Sequence, residues 1–407
     1  MNAPRHRPRL AVVSPFLDKR HGTERRVVEW ITQLSGAYDI HIYSQRVEDL
    51  DLSKITWHCI PKIPGPHLFN FIWWMAANHL WRAWDRRLGG LRHDLTFSPG
   101  PNCLDADAIS IHIVFAEYVR QIKSDLSLRQ RPISQWPRIL HRRLYYSLVI
   151  WLEARAYRSP RIKLILIARR TANALAHFYG RQDSFPVIYL GLDHGVFNPD
   201  HRASQRENAR KVVGISTDRF VLLLIGNDWR NKGVPVLLDA LAHLRALPID
   251  LLVVGREDSA PYRALVRERK LDDRVYFLPP RGDVEFYYAA ADVYVGPSLE
   301  DTFAQPPAEA MACGLPVIVS AANGASEIIS DGVDGFILKD PTDSIALGAI
   351  IRRLFEDGEL RRATGERAAA TTQQYTWERN GHELAAILEE ILRRKSRPAE
   401  QTLPQES

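Results

Sequence analysis

The sequence predicts an α/β protein of two doubly wound domains that face each other across a cleft. Three observations predict it. A strand–helix–strand start near residue 10 recurs near residue 220. A cluster of Gly, Pro, Asn and Asp separates the two halves. The chain's 407 residues exceed what one ordinary core serves, at ~150 residues per domain.

In the first half, residues 10–15 (LAVVSP) read as a short apolar strand, followed by a polar, Gly-containing loop. Residues 24–34 carry apolar side chains at helical spacing, and residues 38–44 (YDIHIYS) form the next strand. That order argues a parallel sheet. Residues 95–98, 108–114 and 163–167 are expected to be later strands of it. The second half opens with strand 220–226 (FVLLLIG), helix 234–246 and strand 249–255, with further strands at 274–278, 293–295 and 315–320. The joint falls near residues 191–205. The expected division is therefore a first domain of residues 1–195, a second of 200–377, a closing helix near 378–394 and a polar, disordered tail over 395–407. Strand ends that face each other place a ligand in the cleft between domains.

Composition removes several classes. Hydrophobic residues make up 45% and charged residues 25%, which excludes a fibrous or largely disordered chain. Cys59, Cys103 and Cys313 are the 3 cysteines and form no CxxC pair, so a zinc ribbon or dithiol site is excluded and a reducing compartment is favoured. Residues 10–16 are too short for the apolar core of a signal peptide, and no stretch reaches the ~18 apolar residues of a spanning helix. A cytoplasmic protein, peripheral to the cytoplasmic membrane, is the expectation. Charge is uneven: residues 1–200 hold 28 Lys/Arg against 17 Asp/Glu, whereas residues 201–407 hold 26 against 31. The excess is densest over 118–163, where Arg129, Arg131, Arg138, Arg142 and Arg143 outweigh Asp125 and Glu153. A solvated helix face and an anionic lipid or acidic glycan surface both fit that density. Nucleic acid is disfavoured, since no nucleic-acid module signature is present.

The strongest local signal is residues 297–320, PSLEDTFAQPPAEAMACGLPVIVS. Residues 308–313 are expected to form a short helix, with Pro307 near its first turn and Gly314 past its end. The loop from Asp301 to Gln305 then brings backbone N–H groups and a helix N-terminus to the cleft, an anion site. Asp301 and Glu309, separated by seven residues, are carboxylates able to accept from paired hydroxyls of a sugar or ribose. The alternative is that Asp301 caps a turn and Glu309 complements the helix terminus. This stretch resembles the E-x7-E signature region of retaining glycosyltransferases of family 4, which have the GT-B fold of two Rossmann-like domains. The usual pattern is PS-x-x-E-G-F-G-L-P-x-x-E-A-M-A-x-G-x-P-V-I. Here Asp301 stands for the first Glu, Thr302 for Gly, and Ala304, Gln305 and Pro306 for Gly-Leu-Pro; Phe303 and Glu309 match. Glu300 is one residue out of register. Further segments resemble the family in chain order: RHGTE at 20–24, YLGLDHGVFNP at 189–199, GNDWRNKG at 226–233, NGASEIISDGVDG at 323–335 and YTWE at 375–378. The resemblance covers about residues 9–394.

It implies transfer of a hexose-type sugar from a UDP- or GDP-type nucleotide-diphosphate sugar to a glycan or lipid-linked acceptor, with retention of configuration. No other cofactor is implied. A departing diphosphate gains charge, and cations and N–H dipoles lower that barrier. No Asp-x-Asp pair ends an apolar strand in the second half, and Asp272 and Asp273 read as solvated, so no metal site is expected. Lys232 and Arg230, in the loop after strand 220–226, are the candidate cations; the family's Arg stands at another offset, and both otherwise read as surface residues. Gly22 would let a backbone loop approach the phosphates or acceptor, or is an ordinary turn glycine. His112 is a candidate cleft histidine or a satisfied core residue, and Glu327 a sugar contact or a structural residue. The resemblance also implies front-face attack, with the leaving diphosphate taking the acceptor's proton. In it Glu309 holds the ribose, Asp301 the sugar, and Thr302, Phe303, Ala304 and Gln305 line sugar and phosphate. Two other readings share the architecture: a nucleotide-sugar-binding protein without transferase activity, and a sugar epimerase. A nicotinamide dehydrogenase is disfavoured, because no GxGxxG follows either opening strand. Finally, residues 69–88, with Trp73, Trp74, Trp81 and Trp84 beside Arg82, Arg86 and Arg87, and residues 136–151 suit docking on an anionic membrane surface. Tryptophans packed in the core with solvated arginines are the alternative.

Overall fold

A computed structural model describes residues 7–20, 22–123, 126–128 and 132–396. His21, Asp125, Arg129, Arg131 and the expected disordered tail beyond residue 396 lie outside the described residues. The chain divides into two units, Met1–Tyr189 with Trp377–Ser407 and Leu190–Thr376.

The first unit runs β1 (Arg9–Val13), β2 (Phe16–Leu17), α1 (Gly22–Leu34), β3 (Asp39–Ser44), β4 (Arg46–Val47), β5 (Ile55–Cys59), α2 (His67–Arg87), β6 (Leu95–Pro99), β7 (Ala108–Ile111), α3 (Phe115–Gln121), α4 (Trp136–Tyr157), β8 (Lys163–Leu166) and α5 (Thr171–Tyr179). Six strands form one parallel sheet in the order β5-β3-β1-β6-β7-β8, and β2 pairs with β4 beside it. Both faces of the sheet are covered, which is why its strands read as apolar runs. Side chains alternate between two cores. Leu10 and Val12 of β1 pack with Val27 and Ile31 of α1, while Ala11 and Val13 pack with Trp74 of α2 and Ala156 of α4.

The second unit runs α6 (Pro199–Val213), β9 (Phe220–Ile225), α7 (Val234–His243), β10 (Ile249–Val254), α8 (Ala260–Glu268), β11 (Val275–Leu278), α9 (Glu285–Ala290), β12 (Val293–Gly296), α10 (Gln305–Ala312), β13 (Val317–Ser320), β14 (Phe336–Leu338), α11 (Ser344–Glu356) and α12 (Gly358–Thr372). Its parallel sheet has the order β11-β10-β9-β12-β13-β14. The winding reverses between β9 and β12, so the loops after these two strands diverge at a switch point, where open α/β sheets bind ligands. The last helix, α13 (Trp377–Ser396), returns to the first unit and buries Leu384, Leu388 and Ile391 against it. At Gly381 the helix crosses α1 so closely that a Cβ would sit 2.4 Å from Cβ of Gln33.

Several expected boundaries move. The first helix begins at Gly22, not residue 24, because its opening turn is polar and carries no apolar period. The strand expected over 108–114 stops at Ile111, where its partner β8 ends at Leu166, leaving His112 beyond the ladder. The helix expected over 234–246 ends at His243. Lys395 and Ser396, expected in the tail, complete α13; Lys395 Nζ donates to Asp94 O at 2.7 Å and pairs with Asp107 at 3.0 Å.

Candidate active site

The loops after β9 and β12 build the site. Backbone geometry comes first. Gly226 has φ +151°, and a Cβ there would lie 2.9 Å from Lys232 Cε, so the Lys232 side chain lies across the glycine. Gly233 has φ +81° and passes so close to the other loop that a Cβ would meet Pro297 O at 2.2 Å. The buried Trp229 pins the turn: its Nε1 donates to Gly226 O at 2.8 Å, and its ring packs on Tyr262 and Phe277. Asn231 ties the loops together. Its Nδ2 donates to Glu300 O at 2.8 Å, and its O accepts from Leu299 N at 2.7 Å.

These constraints set Lys232 Nζ against Asp301 Oδ2 as an ion pair, with both side chains mostly shielded from water. Asp301 is held on its other side. Its N–H donates to Ala322 O at 3.1 Å, and its O accepts from Gly324 N at 2.9 Å. The buried Asn323 accepts at Oδ1 from Ala304 N at 3.3 Å and Ala325 N at 3.0 Å, which fixes the approach to α10. That helix starts at Gln305, three residues before the expected start at 308. Pro306 and Pro307 sit in its first turn, where no N–H partner is needed, so they open the helix rather than precede it. Glu309 consequently falls in the second turn. It is buried and accepts the Tyr288 hydroxyl at Oε2 at 2.8 Å, and burial with Glu309's charge holds Tyr288 well above its ordinary pKa. Phe303 and Ala304 are buried, Thr302 and Gln305 half-buried, and Arg230 exposed. Lys232, Asp301, Phe303, Ala304 and Glu309 thus share one corner of the second unit. A cation, a helix N-terminus and two carboxylates in one corner can bind a phosphate together with hydroxyls.

Gly22 and His112 belong to the first unit. Gly22 is the exposed first residue of α1, a helix position and not a loop. His112 Nε2 lies 3.0 Å from Ser110 Oγ, and its ring centroid is 6.3 Å from Trp30. Dense packing, and then the charge of Arg26, hold its pKa well below the ordinary value, so the imidazole is neutral at pH 7. Arg26 itself is buried, donates to Ile188 O at 3.2 Å, and is pushed down to about 9 by burial. Glu327 lies half-buried in a short 3-10 turn, Gly324–Ile328. Sequence reasoning missed Asn231, Asn323, Tyr288 and Trp229. Trp229 and the two asparagines lie inside motifs already singled out, GNDWRNKG and NGASEIISDGVDG, without being picked from them; Tyr288 carries no local signal.

Two doubly wound parallel sheets, one with paired loops at its switch point, are the architecture of the GT-B fold. The crystal structure of WaaG, a glycosyltransferase involved in lipopolysaccharide biosynthesis, superposes over 93% of this chain and 99% of its own, with TM-score 0.73 and 21% identity. Anabaena Alr3699/HepE in complex with UDP and glucose does so over 93% and 99%, with TM-score 0.70 and 20% identity. At such identities the likeness shows the fold. The sequence goes further: residues 205–371, which include Lys232, Asp301 and Glu309, match the family model Glycosyl transferases group 1. A D-inositol 3-phosphate glycosyltransferase of Xylanimonas cellulosilytica is 31% identical over 248 residues, 58% of this chain and 58% of its own. The lipopolysaccharide glucosyltransferase WaaG of Escherichia coli is 30% identical over 206 residues, 49% and 55%. The chain spans about half the length of the curated relatives it matches.

Proposed function

We propose that the protein is a retaining glycosyltransferase of family 4. It moves a hexose-type sugar from a UDP- or GDP-type donor to a glycan or lipid-linked acceptor without a metal ion. The observation that carries this reading is the Lys232–Asp301 pair at the switch point, beside the opening of α10 and the buried Glu309. In the reaction the bond from the anomeric carbon to the diphosphate breaks, and one from that carbon to an acceptor oxygen forms on the same face. The acceptor's proton passes to the departing diphosphate. Lys232, assisted by Arg230, meets the charge that develops there, exchanging its carboxylate partner for phosphate oxygens. Asp301 then takes sugar hydroxyls, Glu309 the ribose, and Thr302, Phe303, Ala304 and Gln305 line sugar and phosphate. Neutral His112 hydrogen-bonds a sugar hydroxyl or positions the acceptor, and Gly22 opens α1 without a side chain where phosphate or acceptor approaches. Relatives named for an inositol phosphate and a lipopolysaccharide acceptor agree with a polar or lipid-linked acceptor.

The acceptor side is proposed to dock on an anionic membrane. Among the described residues no helix is long and apolar enough to cross one. Yet α2 and α4 carry stripes of exposed apolar side chains at helical spacing: Phe69, Leu80 and Trp84 on α2, Leu140, Leu144 and Trp151 on α4. The deciding assay for transfer is release of UDP or GDP from UDP- and GDP-sugars, with and without candidate acceptors, in the presence of EDTA. Acceptor-stimulated release is expected. Donor binding with no release favours the binding-protein reading, and interconversion of the donor sugar favours an epimerase.

A further inference from the structure

Helix α3 opens three residues after His112, and the residue at its N-cap, Val114, has no side chain that can accept a hydrogen bond. The acceptor comes from α4 instead. Glu153 Oε1 accepts the N–H of Phe115 at 2.9 Å. Its Oε2 accepts the N–H of Ala116 at 3.3 Å and the Tyr179 hydroxyl of α5 at 2.5 Å. Glu153 is 0% exposed. An ordinary cap would be a local Ser, Thr or Asp at the helix start, partly in water. A buried carboxylate reaching in from another helix is a costlier way to satisfy two amides.

We propose that Glu153 is a positioning residue: by gripping the amides of Phe115 and Ala116 it sets the path of the segment from His112 onward, and so the placement of the His112 imidazole. The inference rests on the role given to His112 above. It makes α4 a helix with two working faces, since Leu144 and Trp151 are exposed on the same helix that buries Glu153.

The groups around the carboxylate fix its proton behaviour. Tyr179 faces it from α5, the amides of Phe115 and Ala116 from α3, and Tyr157 from its own helix; Arg158 acts on Tyr179. Burial pushes the Glu153 carboxyl up to about 7, against the pull of Tyr179 and the two amides. Protonation turns one acceptor oxygen into a donor that opposes an N–H. The grip is strongest where the carboxylate is charged and weakens as the group takes up a proton on the acid side of about 7. Global stability runs the other way. A carboxyl whose folded pKa exceeds its free value of 4.5 favours the fold at low pH, and that contribution is lost as pH rises through about 7. Glu153→Gln, which buries no charge, is therefore expected to leave the melting temperature at pH 8 undiminished.

The test compares parent and E153Q by backbone amide exchange and by the His112 imidazole nitrogen signal, each at pH 8 and pH 5.5. Expected at pH 8 are exchange of the 115–118 amides at least ~10-fold faster in E153Q and a shifted His112 signal. At pH 5.5 the parent should approach the variant. Unchanged exchange overturns the grip; faster exchange with an unmoved His112 signal reduces Glu153 to a cap and overturns the proposal. Should E153Q fail to fold, Tyr179→Phe removes one partner of the same carboxylate and must move the His112 signal in the same direction, or the proposal falls. Nucleotide release from UDP-glucose is followed alongside. A parent with no release from any donor sinks the glycosyltransferase reading alone, and the exchange and imidazole measurements still decide Glu153.

Discussion

Lys232 and Gly233 are neighbours with separable duties, and single substitutions should tell them apart. Lys232 supplies charge. Its ammonium is held by Asp301 in a shielded corner, where an electrostatic contact to a developing anion is worth more than in water. Lys232→Met should lower the rate of nucleotide release by ~10²–10³-fold, the loss usual for one preorganised donor, while circular dichroism and the urea midpoint stay close to the parent. A variant with parental turnover would remove Lys232 from the site. Gly233 supplies space. At φ +81° it permits the turn into α7, and it clears Pro297 O, which a Cβ would approach to 2.2 Å. Both penalties fall on backbone, which cannot swing aside. Gly233→Ala should therefore cost about 2–4 kcal/mol of stability in urea unfolding, whatever it does to turnover. A loss under ~0.5 kcal/mol, the usual surface value, would show that the two loops are not locked together.

Helix α2 and the loop after it meet β3 and the edge strand β5 of the first sheet through a polar cluster. His41 Nδ1 of β3 lies 3.0 Å from His58 Nε2 of β5, and His58 Nδ1 lies 2.9 Å from Asp85 of α2. Tyr43 stacks on His58 at 4.4 Å and donates to Asp85 at 2.7 Å, while His93 Nε2 is 3.4 Å from the Tyr43 hydroxyl. Burial lowers the pKa of His58, and burial with the neighbouring histidines lowers that of His93 to about 4. A histidine depressed in the fold binds its proton more readily when unfolded. Its stabilisation is complete above its free pKa of 6.5 and is lost as pH falls toward about 4. Unfolding free energy should drop by about 1–3 kcal/mol between pH 7 and pH 4.5, and the slope should flatten in His93→Gln. An equal slope in both proteins would show that the cluster does not titrate in this window. The same elements show what the sequence can and cannot reveal. β1, β9 and β10 were legible because burial on both faces makes them largely apolar runs. β5 (ITWHC) is an edge strand of half-buried, polar-rich residues, and β14 has three residues, so neither stands out. The expected start of α10 falls three residues late, because only Pro307 is placed near the first turn, whereas the turn opens at Gln305 and takes in Pro306 as well. In the site, Lys232, Asp301 and Glu309 were legible from motif spacing. The ties that hold them, Asn231 to Glu300 and Tyr288 to Glu309, join segments distant in sequence, and no local pattern encodes them.

Over the whole molecule, charge and exposed apolar surface coincide. Residues 1–200 carry the basic excess, 28 Lys/Arg to 17 Asp/Glu, and the first unit also displays Trp84, 67% exposed, and Trp151, 52% exposed. The tryptophans first grouped as a docking set divide. Trp74 is core, Trp73 and Trp81 are half-buried, and Trp84 is open to solvent. Arg82 leaves the set altogether, since it is buried and held bidentately by Asp105 at 2.7 Å. What remains is a surface of apolar stripes flanked by Arg86, Arg87, Arg138 and Arg155, the last lying 5.2 Å over the Trp151 ring. Such a surface suits a headgroup boundary, with rings at the apolar edge and cations toward phosphate. Each cation near anionic lipid adds ~1 kcal/mol, so a few make binding reversible and dependent on lipid charge. The protein should float with anionic vesicles at low salt and stay behind with neutral ones. Flotation should weaken as salt approaches physiological strength, where charges are screened beyond ~8 Å. Trp84→Ser combined with Trp151→Ser should weaken it at every salt concentration, because it removes the apolar part, whereas Arg86→Ser with Arg87→Ser should act mainly at low salt. Equal flotation with neutral vesicles, or none with anionic ones, would mean that the stripes face solvent for another reason and that the acceptor is met away from a membrane.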